Sequence, residues 1–228
     1  MIEVFYDVKK ITNIICNEIS LILKEKEYVV LALPGGRSVK TLYNEFEKHD
    51  EINWNKVHIF LVDERLVKIT NSESNFKLIN DQFLGSLIKS EKIKLQNLHP
   101  FILDESKEDK GLKEYNNELQ KFGGSFDIVV LGVGEDGHVG GLFPNYTIDD
   151  NSENYILFDK SPKLPNGRMS ASRKLIEKSR LGIALFIGDA KKKAYEDFLD
   201  SSIKLNDCPV KILHEIKKGY ILTNISLE

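Results

Sequence analysis

Cysteine is nearly absent. Only Cys16 and Cys208 occur in 228 residues, and with no CxxC pair the chain has neither a zinc knuckle nor a redox dithiol. Two lone thiols fit a reducing compartment, so a cytoplasmic location is expected. Long hydrophobic runs are absent too. The longest, such as residues 183–187, are strand-sized and too short to span a bilayer. The opening MIEVFYDVKK carries charges at positions 3, 7, 9 and 10 and no apolar core of a leader. Membrane partners are therefore not expected. Positive charge is not in excess either. Lys and Arg number 32 against 35 Asp and Glu, for a net charge of −3, which supplies no basic field for nucleic acid. No linker or low-complexity tract divides the chain. It reads as one α/β domain over residues 1–228, long enough to bury a full core. Nothing in the sequence specifies assembly, and a monomer is the expectation.

Several catalytic signatures are missing as well. The chain has no GxSxG elbow, and the HEIKK stretch at His214 lacks the second histidine of a zincin. No cysteine follows a strand, so covalent nucleophilic catalysis has no obvious carrier. No group of His, Cys and carboxylates has metal-ligand spacing, so no metal or other cofactor is expected.

What is present is a repeated unit. A short β-branched run, a loop and a helical period recur four times. Residues 28–33 lead into PGGRS and a helix near 39–48. Residues 57–62 lead into DER and a helix near 74–87. Residues 126–131 lead into a glycine-rich loop, and 181–187 into GDAKKK and a helix to about Leu199. This repetition predicts a doubly wound, mainly parallel sheet with helices on both faces. Residues 9–26 carry apolar side chains at helical spacing, from Ile11 to Leu23. Residues 2–6 and 219–223 read as edge strands.

In such sheets ligands bind beyond the carboxyl ends of the strands, and three informative loops lie there. The first, LPGGRS, brings Gly35, Gly36, Arg37 and Ser38 to the start of a helix. Exposed backbone N–H groups, a hydroxyl and a guanidinium make an anion cradle, most simply for phosphate. The plain alternative is a tight turn with Ser38 as helix cap. It is not a P-loop, because the GK[ST] ending is missing. The second loop supplies Asp63, Glu64 and Arg65. Arg65 can fork onto phosphate oxygens, with an acid to hold it or a partner loop.

The third loop, in FDIVVLGVGEDGHVGGLFPN, is the most specific. Gly132, Gly134 and Gly137 spell GxGxxG, but HVGGLFP is a poor helix and Asp136 would face an anionic pyrophosphate. The sheet is therefore Rossmann-like without a dinucleotide site. His138, one residue from Asp136 and among glycines, is the best general base on the chain. The simplest chemistry is a water activated by His138, with a phosphate handle orienting the substrate. Arg168 in NGRMS and Lys191 in GDAKKK are further cations. Lys191 is placed in the first turn of its helix, where a cation makes sense facing an anion. The stretches 145–154 and 160–168 read as long surface loops near the site.

LPGGRSVKTLY, VDERLV with SESN, LGVGEDGHVGGLFP, RMSAS and GDAKKKAY, in that order, resemble the 6-phosphogluconolactonases within the wider glucosamine-6-phosphate isomerase and deaminase superfamily. That resemblance implies hydrolysis of 6-phospho-D-glucono-1,5-lactone to 6-phosphogluconate, in the pentose phosphate pathway, without metal or organic cofactor. It implies His138 as base with Asp136 nearby. It places Gly35, Gly36, Ser38, Arg65, Arg168 and Lys191 around the ligand, with Arg37, Asp63 and Gly134 also counted to the substrate site. Pro34, Arg37, Ser38 and Val39 depart from the family's SGGSTP loop, and ILTNISLE replaces its Trp-Phe-x-Asp ending. Gly140 and Gly141 stand where Ala-Ser is usual, which is expected to loosen that loop. The related deaminases carry a glutamate shortly after DGH and a tyrosine at the place of Arg65. LFPN and Arg65 favour the lactonase over an amino-sugar phosphate deaminase. The presence of His138 favours it over a non-catalytic sugar-phosphate-binding protein.

Overall fold

The computed structural model describes residues 2–36, 38–145 and 152–226. Arg37 and most of the 145–154 loop lie outside the described residues. The predicted strands form a six-stranded sheet in the order β1-β9-β8-β5-β2-β3. These are β1 (Glu3–Phe5), β2 (Val29–Leu33), β3 (Val57–Leu61), β5 (Ile128–Gly132), β8 (Leu181–Phe186) and β9 (Lys218–Thr223). Every pairing in it is parallel. All residues of β2 and β8 are buried, so both faces of the sheet centre are covered. This is why these strands read as continuous apolar runs rather than alternating ones. No helix among the described residues is long and apolar enough to cross a membrane.

Two expectations about the strands are corrected. Residues 219–223 do not form an edge, because β9 lies between β1 and β8. The edges are β1 and β3. The outer side of β3 is partly occupied, since Leu98 bridges to Ile59 and the His99 N–H donates to the Ile59 carbonyl at 2.9 Å. The DER triplet is also not a loop. Asp63–Arg65 is strand β4 of a second sheet, ordered β4-β7-β6 and antiparallel, with β7 at Arg168–Ala171 and β6 at Tyr155–Phe158.

Helix α1 (Val8–Glu25) is capped by Asp7, whose side chain accepts the Lys9 N–H at 2.9 Å. Its buried residues, Ile11, Ile15, Ile19 and Ile22 among them, follow the predicted spacing. Helix α2 spans Lys40–Phe46. The predicted 74–87 helix is a composite: α3 (Asn75–Ile79), a π turn (Asn80–Leu84) and α4 (Gly85–Lys89). The remaining helices are α5 (Leu112–Gln120), α6 (Arg173–Glu177) and α7 (Lys192–Leu199).

The strand order places the site. From β2 the chain winds outward to β3, then returns to the other side of β2 with β5 and continues to β8 and β9. The winding direction reverses between β2 and β5, and the crevice beyond their carboxyl ends is where such sheets bind ligands. The loops after these two strands touch. A Cβ on Gly132 would lie 3.5 Å from Pro34 Cβ.

Glu64, in the middle of β4, fixes the neighbouring helix. It is 0% exposed, yet four donors meet its carboxylate. Oε1 accepts the N–H groups of Arg65 and Asn75, both at 2.7 Å, and Oε2 accepts the Ser74 hydroxyl and the Phe76 N–H, both at 2.9 Å. Burial pushes this carboxyl upward, and the hydrogen bonds oppose that shift. Glu64→Gln turns one acceptor oxygen into an NH2 facing donors. It is expected to cost about 1–3 kcal/mol, the penalty for unmet buried polar groups. Urea unfolding midpoints measure it, and an unchanged midpoint contradicts the account.

Candidate active site

The loop after β5 closes into a turn that sets an acid and an imidazole side by side. The Gly134 N–H donates to the His138 carbonyl at 2.8 Å, and the Gly137 N–H to the Gly134 carbonyl at 3.1 Å. Gly137 has φ +80°, a left-handed value that favours glycine. Within this turn the Asp136 Oδ1 carboxylate accepts from His138 Nδ1. That contact assigns the proton to Nδ1 and leaves Nε2 as the nitrogen able to take another. The imidazole also lies over the Phe143 ring, with centroids 4.6 Å apart. No helix follows the turn over the described residues 139–145. Short bridges join Val139 to Val133 and to Leu142 instead, so the GxGxxG spelling lacks its helical context.

Burial works against ionising Asp136. The hydrogen bond and charge of His138, with Lys163 added, outweigh it and hold the carboxyl well below the usual range. Gly134 is required by space rather than by backbone angle. A Cβ there would lie 1.9 Å from His138 Nδ1 and 2.6 Å from Asp136 Oδ1.

His138 opens onto a cleft of about 510 Å3 at the β2/β5 reversal. Most predicted site residues meet in its wall: Gly35, Gly36 and Ser38 from the β2 loop, Asp63 and Arg65 from β4, Gly134 from the β5 loop, and Lys191. Ser38 does not cap the helix. Helix α2 begins behind Val39, with no side-chain cap bond. Lys191 is not in the first turn of α7 but ends a 3-10 turn, Asp189–Lys191, just before it. Gly35 is pressed against Asn75, where a Cβ would meet Asn75 Oδ1 at 2.0 Å. Asn75 in turn donates to the Asp63 carbonyl at 2.8 Å.

Arg168 lies behind this wall. It is 4% exposed, and its Nη2 donates to the carbonyls of Lys163 and Leu164 at 3.3 and 3.4 Å. It sits opposite Arg65 in the β4–β7 register. Burial first, and then the Arg65 charge, pull its guanidinium below the ordinary value. Arg168 Nη1 and Arg65 Nε are buried without a protein partner, while Arg65 Nη1 donates to the Glu73 carbonyl. Two facing guanidiniums, each with an unmet donor, favour an anion nearby.

The glycine pair after His138 does not loosen the loop. A Cβ on Gly140 would meet Val62 Cγ1 at 3.0 Å, and one on Gly141 would meet Phe158 Cζ at 2.6 Å. The Gly141 N–H donates to Ser170 Oγ at 2.9 Å, so the pair allows close packing on the second sheet.

Two further wall residues, Asn75 and Lys163, were not singled out by sequence. Asn75 had a signal in the SESN stretch. Lys163 had only its place in the loop before Arg168. Its Nζ lies 3.5 Å from Asp136 Oδ1 and 3.4 Å from His138 Nδ1.

The profile of the family described as glucosamine-6-phosphate isomerases/6-phosphogluconolactonase matches residues 8–222. A 6-phosphogluconolactonase of Borreliella burgdorferi is 34% identical over 200 residues, covering 87% of this chain and 85% of that one. The GDH/6PGL endoplasmic bifunctional protein of Homo sapiens is 33% identical over 171 residues, 72% of this chain but 21% of that protein. Among solved structures, a 6-phosphogluconolactonase from Thermotoga maritima superposes with a TM-score of 0.80 at 26% identity, covering 98% of both chains.

The spacing at Gly134 gives a direct test of the acid–imidazole pair. Gly134→Ala is expected to displace the imidazole and leave the fold standing. Asp136 then loses its main stabilising partner, and its titration by carboxyl NMR moves up toward the ordinary range. A depressed folded-state pKa adds stability above the unfolded value of about 4 and loses it as pH falls through the folded value. The mutant is therefore also expected to lose less stability than wild type on acidification. An unmoved Asp136 titration contradicts the geometry.

Proposed function

Since the chain belongs to the family of glucosamine-6-phosphate isomerases and 6-phosphogluconolactonases, we propose that its cleft hydrolyses 6-phospho-D-glucono-1,5-lactone to 6-phosphogluconate, a step of the pentose phosphate pathway. The observation that carries this reading is the Asp136–His138 pair at the β2/β5 reversal, in one cleft with Arg65 and Lys191. The pair suits proton transfer, and the cations suit a phosphate.

In the reaction, Asp136 accepts the Nδ1 hydrogen bond and fixes the imidazole, so Nε2 takes a proton from water. The water oxygen bonds to the lactone carbonyl carbon and a tetrahedral oxyanion forms. Its collapse breaks the bond from that carbon to the ring oxygen, and the imidazolium returns its proton to the ring oxygen. The net change is addition of one water across the acyl–oxygen bond. No covalent enzyme intermediate is needed. Cys208, packed behind Gly137, is unsuited to that role because burial pushes its thiol up to about 11.

The rest of the wall holds the substrate. Arg65 and Lys191, with the N–H groups of Gly35 and Gly36 and the Ser38 hydroxyl, take the phosphate. Arg168 adds charge from behind Arg65. Asp63 accepts from sugar hydroxyls. A fixed phosphate orients the lactone carbonyl toward His138, which is how binding energy remote from the reacting bond serves the chemical step. Arg37 belongs to the same proposed cradle and lies outside the described residues. Residence in the cytosol is part of this reading and is supported by the two cysteines, both free and buried.

A lactone hydrolysis assay, run beside ammonia release from glucosamine 6-phosphate, tests the reading. Hydrolysis without ammonia release is expected. His138→Ala is expected to lower the enzymic rate about 10²–10⁴-fold above the spontaneous background, and near-normal turnover removes His138 as the base. Arg65→Ala separates the phosphate role from the chemistry. It is expected to weaken use of the phosphorylated lactone by roughly 10-fold or more, the size of one lost charge-assisted bond. It should barely touch hydrolysis of unphosphorylated gluconolactone. Equal losses on both substrates move Arg65 out of the phosphate site.

A further inference from the structure

Asp136 beside His138 creates a difficulty for a base. An ionised carboxylate against an imidazole favours the imidazolium, and a base that already carries its proton accepts no other. A second charge answers this. Lys163 Nζ stands 3.5 Å from Asp136 Oδ1 and 3.4 Å from His138 Nδ1, on the same side of the ring as the acid. It reaches there from a strap, residues 161–167, that is fastened at several points. Ser161 Oγ donates to the Lys163 carbonyl at 3.0 Å and accepts the Lys163 N–H at 3.2 Å. Asn166 and Ser161 exchange two bonds, at 2.8 and 3.0 Å. From below, Arg168 holds the carbonyls of Lys163 and Leu164. Ser161 and Arg168 are buried, whereas Leu164 at the tip is 80% exposed. Arg168 therefore spends one nitrogen on fixing the backbone of Lys163.

We propose that Lys163 is a positioning residue of the lactonase site: its ammonium clamps Asp136 and offsets that carboxylate's charge beside the His138 imidazole, and the Arg168-anchored strap delivers it. This inference rests on the hydrolytic reading above. The charged groups around His138 are Glu135 and Asp136 in its own turn, Lys163 from the strap, Asp63 and Arg65 from β4 and Lys191 before α7. Among the described residues, the charged side-chain atoms within 3.5 Å of His138 Nδ1 are those of Asp136 and Lys163.

The test compares wild type with Lys163→Met and Lys163→Arg. The Lys163 side chain is 44% exposed, so neither change disturbs the core, and melting temperatures check this. Removing the ammonium favours the imidazolium, so the acid limb of the kcat profile moves to higher pH. The shift expected for Lys163→Met is about one pH unit, typical of one neighbouring charge. This equals roughly a tenfold loss of kcat on that limb, with KM little changed and activity recovering at high pH. Lys163→Arg restores the wild-type profile. A second measurement needs no substrate: NMR titration of the His138 ring in the same proteins, where the midpoint moves up in Lys163→Met only. A uniform loss at every pH, a change in KM alone, or an unmoved ring titration overturns the proposal. If folded wild type fails to hydrolyse the lactone, the functional reading falls, and the ring titration still decides whether Lys163 governs the protonation of His138.

Discussion

Glu64 puts a charge-bearing carboxyl in a place closed to water, and it is held there by four donors at 2.7–2.9 Å. Burying such a group without partners is prohibitive. The donors come from Arg65 and from the first residues of α3, so meeting them joins β4 to that helix. The consequences run outward through Asn75. Its backbone serves Glu64, its side chain holds the Asp63 carbonyl, and Gly35 packs on it so closely that no Cβ fits. One carboxylate thus sets the backbone of Arg65, the place of Asp63 and the height of the β2 loop. Two parts of the cleft wall, β4 and the β2 loop, thus depend on Glu64, which does not itself line the cleft.

The second organising constraint is balance of charge. Arg65 faces Arg168 across two antiparallel strands, and each keeps a buried donor without a protein partner. Lys163 and Lys191 add positive charge to the cleft wall, and Asp63 and Glu135 add negative charge. A protein of net charge −3 thereby gathers Arg65, Lys163 and Lys191 into the wall of one cleft.

Much of this was legible in the chain and some could not have been. Strands β2, β3, β5 and β8 announce themselves as apolar runs because a parallel sheet covers both their faces. The Asp136–His138 turn is visible because both residues and the glycines that admit them lie within a few positions. The place of β9 inside the sheet is not written in its own residues, since strand order depends on which partners the crossovers reach. The second sheet was missed because β4 has three residues, too few for any period, and β7 hides in RMSAS. Lys163 was missed for a related reason. Its loop has no periodicity, and its nearness to residues 136 and 138 exists only after β6 and β7 have folded back. Arg168 is read from sequence as a further cation of the site, with no sign there that it would be buried opposite Arg65.

The two ends of the main sheet differ in a way that bears on self-association. At one end β1 offers three residues, Glu3 and Val4 exposed among them. At the other, the outer side of β3 is already engaged at Ile59 by Leu98 and His99. Unpaired strand edges are the usual template for native-state aggregation and for sheets that continue across copies. Here one template is too short for a stable ladder, and the other is guarded by the segment that crosses it. Growth through the β3 edge requires residues 98–99 to leave Ile59 first, so resistance there resides in a stretch outside the cleft that holds His138.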